Sequence, residues 1–302
     1  MLKLFFTKSA KDNFPHLFYQ ESNKVNIPRL LISYFIVLCA TLILGYLYAV
    51  ITTIMPIIQI NFMILLAFGV ALGLINRLLM RVSYNRSKKS RLILAFVTAL
   101  FASYFQWTTY ILYQYNGDIP SYIDFLSNLS WIIQPKNFFS AIIKINEIGP
   151  WSVFGFRFAG TALTVLWVLE FLIIVALSMF AVLVTQVYPY SELMQKWYPK
   201  YTLANEFENI SVLLMLDELQ KDPLQAIQNL NKGLAFRYSK IHVFYEEHEE
   251  YQYLTFEKVY ISDGGRGSKK SEIVLNNFKI SKDVADTLLK TYRNNRERID
   301  VI

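Results

Sequence analysis

Four apolar runs, residues 30–54, 59–79, 92–114 and 163–187, constrain this 302-residue chain more than anything else in it. Each reaches the roughly 20 residues that a helix needs to cross a hydrocarbon core, where backbone groups must bond within their own segment. An all-α four-helix transmembrane domain over residues 30–187 is therefore expected. The first two runs are so close that they must pair antiparallel. From the end of the second run to the start of the third lie Arg77, Arg81, Arg86, Lys88, Lys89 and Arg91 with no acidic residue among them. Cation-rich loops of this kind are retained in the cytoplasm. This orientation makes residues 1–29 a cytoplasmic amino-terminal segment, puts 115–162 outside, and returns 188–302 to the cytoplasm. Trp107, Tyr110, Tyr113 and Tyr115 near one end of the third run, and Tyr188, Tyr190 and Trp197 after the fourth, suit interfacial belts.

The net charge of +7 raises the question of nucleic acid. Divided by segment, the excess sits beside the membrane: five cations against two acids in 1–29, six against none in 77–91, and sixteen against seventeen in 188–302. That distribution suits anionic lipid and disfavours nucleic acid. The lone Cys39 lies within the first run, which excludes an intramolecular disulfide and an all-cysteine metal site. Within the first 20 residues apolar residues alternate with lysines, so either a short interfacial helix or a disordered tail is expected there.

Glu170 is the only acidic or basic residue deep in a span, and such a residue is a functional candidate whose partner should be sought. At ~1.5 Å per residue, Glu170, Gln106 and Tyr46 fall at a similar depth, which predicts an intramembrane polar cluster of these three. Gly69 and Gly73 share one face of the second span and admit a close helix neighbour, either within the bundle or in a second copy. The external segment reads as two helices, 121–134 and 136–148, ended by Pro135 and Gly149 and lying either flat on the outer membrane surface or packed over the bundle.

After the last span, residues 203–220 and a segment opening at Asp222-Pro223 read as helices. Residues 235–246, 251–262 and 271–280 read as three antiparallel strands, and 281 to about 296 as a closing helix. The result is a small cytoplasmic α+β domain, expected to fold as the isolated fragment 200–302.

Its candidate chemistry is thin. Glu246 to Glu250 surround His248 with four carboxylates, but a hairpin tip rarely converges ligands by itself, so no metal is assigned. The loop with Gly264, Gly265, Arg266, Gly267, Lys269 and Lys270 reads as a flexible hairpin loop, with an anionic-ligand cradle as the alternative, although it departs from the P-loop pattern. His242 has no nucleophile or carboxylate partner visible in the sequence. No catalytic residue and no cofactor are therefore assigned.

Gly149, Trp151, Ser152, Gly160, Trp167 and Glu170, with Pro189, Glu192 and Trp197 after the last span, resemble a family of bacterial four-span inner-membrane proteins over about residues 90–200. The resemblance implies the same topology and no particular activity. Members often carry cysteine beside the Pro-aromatic-x-Glu string, where this chain has Ser191. Together these features point to a non-enzymatic sensor, scaffold or interaction protein. Its partners would be the bilayer, an unknown cytoplasmic protein or small anionic ligand, with a homo-oligomer as a further option. The alternative is a permeabilising effector or channel gated through the carboxy-terminal domain.

Overall fold

The computed structural model describes residues 14–55, 57–153, 156–262 and 267–299. The chain divides into two compact units, one of residues 23–186 and the other of residues 1–22 with 187–302.

The first unit contains four helices long and apolar enough to span a membrane: α1 (Ile27–Ile54), α2 (Ile58–Val82), α3 (Lys88–Asn116) and, later in the chain, α6 (Gly160–Leu183). Their ends follow local chemistry. Asn26 caps α1 ahead of Pro28, Ser87 caps α3, and Gly117 ends α3 in the left-handed conformation. Large apolar side chains such as Leu31, Phe35, Met63 and Phe180 point outward, where a bilayer accepts them. Cys39 is exposed on α1 among them.

Small residues set the helix spacing. A Cβ on Gly73 would stand 2.4 Å from the Ala181 Cβ, and one on Gly69 would stand 2.8 Å from Leu177. The small-residue face of α2 is thus spent on α6 within the same chain. Gly45 does the same work between α1 and α3, where an added Cβ would lie 2.8 Å from the Phe105 Cβ.

Between α3 and α6 the chain forms α4 (Tyr122–Asn128), a 3-10 turn (Leu129–Ile133) and α5 (Pro135–Ile148), followed by a hairpin of β1 (Trp151–Val153) and β2 (Phe156–Phe158). The single helix expected at 121–134 breaks early. Ser127 Oγ and Asn128 Nδ2 donate to the carbonyls of Ile123 and Asp124, drawing the last turn away from regular helix. Both segments pack over the bundle, Phe125 against Phe105 and Leu112, and Phe138, Ala141 and Ile145 against Ile111. Gly149 stops α5 at φ +61°, and the Arg157 guanidinium donates to the carbonyls of Gly149 and Ile148 at that helix end. The last span ends at Leu183, short of residue 187.

The second unit is α+β. After a small hairpin, β3 (Tyr190–Ser191) with β4 (Lys196–Trp197), come β5 (Lys200–Leu203), α7 (Val212–Lys221), α8 (Pro223–Gln228), β6 (Arg237–Phe244), β7 (Tyr251–Ile261), β8 (Lys269–Ser281), α9 (Lys282–Tyr292) and β9 (Arg293–Ile299). Strands β5 to β9 form one antiparallel sheet in the order β8-β7-β6-β5-β9. The three expected strands are therefore one end of it, β8-β7-β6, with β5 and β9 added beyond β6. Residues 200–203 were expected to lie outside any strand and 293–296 in the closing helix. The first is short and the second strongly charged, and their β state comes from strand pairing, β5 with β6 and β9, and β9 with β5, rather than from an apolar period.

Ile241, Val243, Leu254 and Phe256 line one face of the sheet and pack against Leu216, Leu219, Ile227, Ala285 and Leu288 from the helices. Phe18 joins this core. Its backbone bridges Phe278, and its ring meets Phe278 edge-on at 5.8 Å. Residues 15–17 form a 3-10 turn, so at least this part of the amino-terminal segment is a piece of the α+β core rather than an interfacial helix.

Candidate functional site

The helix period decides which polar side chains meet inside the bundle. On α1 the buried stripe runs Ser33, Val37, Thr41, Gly45 and Tyr48, in steps of four and three. On α3 Gln106 continues a stripe that includes Ala95, Ala99 and Ala102, and on α6 Glu170 stands four residues before the fully buried Ile174. These stripes converge. The Tyr48 hydroxyl donates to Glu170 Oε1 at 2.7 Å, and Gln106 Nε2 donates to the same oxygen at 3.3 Å. The Tyr48 ring stacks on Phe68 of α2 with centroids 4.4 Å apart, so every span contributes to holding this group.

Tyr46 is not a member of the cluster. At 100° per residue it points about 200° away from Tyr48, toward the opposite side of α1. Its hydroxyl instead donates to the Pro120 carbonyl at 2.9 Å, holding the segment ahead of α4. Depth along the helix was correctly matched for Gln106, but depth alone cannot choose between two tyrosines two residues apart.

A second polar layer lies eight residues farther along α6, roughly 12 Å from Glu170. Asn76 Nδ2 donates to Ser178 Oγ at 3.2 Å, Thr98 Oγ1 donates to Asn76 Oδ1 at 3.1 Å, and Ser178 Oγ donates to the Ala95 carbonyl at 3.1 Å. All three side chains are buried. The sequence carried a signal for this layer, because Asn76 continues the face of Gly69 and Gly73 at the next helical step. The two layers join α2, α3 and α6 at one depth and α1, α3 and α6 at the other, by hydrogen bonds that have no water to compete with them in a bilayer.

The basic turn is also built. Ser83 Oγ donates to Leu79 O, Tyr84 adopts φ +51°, and the buried Arg86 and Arg91 donate to the carbonyls of Tyr84 and Asn85. Arg29 lies over the Tyr84 ring at 4.7 Å. Arg77 and Arg81 are on the last turns of α2, and Lys88 and Lys89 are exposed on the first turn of α3.

In the α+β unit His242 has the partners that the sequence did not reveal. Its Nδ1 lies 2.9 Å from Thr202 Oγ1 and its Nε2 lies 2.8 Å from Glu257 Oε2, across three neighbouring strands. Burial pushes the imidazole below its usual range, with Lys200 and Lys240 adding to the effect. The His242 hydrogen bond, aided by Ser271, holds Glu257 down at about 2. The consistent assignment is a neutral imidazole that donates from Nε2 to the carboxylate and accepts the Thr202 hydroxyl at Nδ1.

The acidic turn is knitted into the fold. Lys196 pairs with the buried Glu246 at 2.8 Å, His248 Nδ1 lies 3.5 Å from the same carboxylate, and Ser191 Oγ donates to Glu249 at 2.6 Å. Of the expected anion loop, Gly264, Gly265 and Arg266 lie outside the described residues. Gly267 N donates to Ser262 O, and Lys269 and Lys270 are exposed in β8, opposite Ile261 and Tyr260. Among the resemblance residues, Trp151 opens β1 and Trp167 meets Trp107 edge-on at 4.7 Å. The Pro189 carbonyl accepts from Tyr198 N, Glu192 accepts from Ser22, and Trp197 packs on Tyr190.

Asn277 joins three stretches of this unit. It is fully buried at a bulge of β8 with φ +57°, where its backbone N–H donates to Thr255 Oγ1 at 3.0 Å. Its carbonyl accepts from Tyr19 N at 2.9 Å, and its Nδ2 donates to the Val187 carbonyl at 2.7 Å. Tyr19 and Val187 belong to the two stretches of chain that lead to α1 and from α6. Fold and site together define a multi-pass membrane protein, a four-helix bundle with internal polar layers joined to an α+β domain. No protein-family model, curated protein or solved structure matches the chain.

Proposed function

We propose that this is a non-enzymatic sensor or interaction protein of a bacterial inner membrane, with both termini cytoplasmic, whose α+β domain binds a cytoplasmic partner or a small anionic ligand. The observation that carries the reading is the Asn277 knot. One buried residue holds both connections between the domain and the spans, so a change at the β8 bulge acts on both stretches at once. A domain tied in this way is suited to pass a binding event along the chain. Copurification with the full-length protein, compared with a chain ending at Gln186, tests the proposal. A component retained only by the full-length chain is expected, and identical sets from the two would reject it.

A gated pore is the second reading. It is favoured by the two polar layers inside the bundle, which a bilayer tolerates only where they face protein or a water-filled path. Ion flux from liposomes containing the purified protein, with and without the captured component, distinguishes the two readings.

A further inference from the structure

The hairpin β3–β4 turns through residues 192–195, and its tip has the wrong chemistry for a solvated turn. Leu193 is 68% exposed and Met194 38%, whereas exposed turns ordinarily carry Gly, Pro, Asn, Asp or Ser. The turn is rigid. Met194 N donates to Ser191 Oγ at 2.8 Å, Gln195 Nε2 donates to Glu192 O at 2.6 Å, and Ser191 is itself anchored to Glu249. The two apolar side chains are therefore held out by design of the turn. Beneath them Tyr190 and Trp197 meet edge-on at 5.1 Å, a pair of amphipathic rings of the kind enriched where apolar and aqueous phases meet.

Chain connectivity states what this tip can reach. Glu192, next to Leu193, accepts a hydrogen bond from Ser22 Oγ at 2.6 Å, and Ser22 stands five residues before Ile27, the first residue of α1. Five residues extend no farther than about 18 Å. On the other side, Tyr190 follows Leu183, the last residue of α6, by seven residues, a reach of about 25 Å. Both tethers end on spans, so the tip is confined to the neighbourhood of a bilayer surface. We propose that Leu193 and Met194 insert into the headgroup and acyl boundary, making the hairpin a fixed lipid anchor for the α+β domain. The occupant of this apolar tip is lipid rather than a protein partner, because both tethers end where the bilayer is.

The experiment uses the full-length protein with Cys39→Ser and Leu193→Cys, labelled with an environment-sensitive fluorophore and reconstituted in phosphatidylglycerol-containing nanodiscs. Leu234→Cys, an exposed site on the same domain, is the reference. The expected result is blue-shifted emission, severalfold stronger quenching by lipids brominated near the headgroup than at the reference site, and protection from aqueous iodide. Iodide quenching equal to the reference would place the tip in water. Protection from both quenchers would place it against protein. Either result overturns the proposal.

Discussion

At the scale of single residues, the bundle separates side chains that their positions along the helices do not. Tyr48 and Glu170 share a hydrogen bond across the core, while Tyr46 serves the Pro120 carbonyl. A double-mutant cycle in detergent micelles should therefore give a coupling of about 0.6–2 kcal/mol between Tyr48→Phe and Glu170→Gln, and additivity between Tyr46→Phe and Glu170→Gln. Equal coupling in the two cycles would contradict the geometry. In the α+β unit His242 and Glu257 make a pH prediction with a single sign. The imidazole is depressed in the folded state, so near and below its unfolded value of about 6.5 the unfolded chain binds more protons and stability falls with pH. The carboxylate is depressed too, to about 2, so its stabilisation is present above the usual carboxylate range and is lost as pH drops toward that value. Hydrogen exchange of β6 and β7 amides, after correction for intrinsic rates, should show easier opening at pH 5.5 than at 7.5. His242→Gln should flatten that difference.

At the scale of elements, the two units rely on different forces. In the bundle, close approach replaces the hydrophobic effect, since lipid is as apolar as the helix faces. Gly73→Val puts atoms into the space held by Ala181 and should destabilise the bundle by about 1–3 kcal/mol, partly restored by adding Ala181→Gly. Unfolding in mixed micelles reads both. In the α+β unit burial dominates, and part of the core comes from far away in sequence. Phe18→Ala should cost about 3–5 kcal/mol, as for other fully buried rings. It follows that fragment 200–302, which lacks Phe18 and the β3–β4 hairpin, should not unfold cooperatively. A chain joining 14–22 through a short linker to 187–299 should, with dispersed amide resonances as the check.

At the scale of the whole molecule, charge and connectivity act together. The basic turn at 77–91 predicts orientation, and two of its arginines also brace the turn itself. Cytoplasmic reporters fused after Lys89 and after Ile302 should be active, and one fused at Gly149 silent. Activity at Gly149 would invert the topology. Both strands of chain that link the units meet at Asn277, so Asn277→Ala should raise hydrogen exchange at Tyr19 and around Val187 together, and leave α2 and α3 unchanged.

The sequence by itself determined the number of spans, their approximate limits, the helix stop at Gly149, and three of the five strands of the sheet. Each of these follows from local length, apolar period or turn chemistry, which a stretch of chain expresses without knowing its neighbours. The Glu170–Gln106 contact was legible for the same reason, as a matter of depth. Only the tertiary structure decided that Tyr48 and not Tyr46 completes the cluster, that Asn76, Thr98 and Ser178 form a second layer, and that His242 sits between Thr202 and Glu257. It also decided that residues near Phe18 belong to a core built more than 180 positions later, and that charged residues 293–299 pair as an edge strand. These outcomes depend on which surfaces face one another after packing, and hydrogen bonds and buried contacts between distant segments leave no period in the chain that makes them.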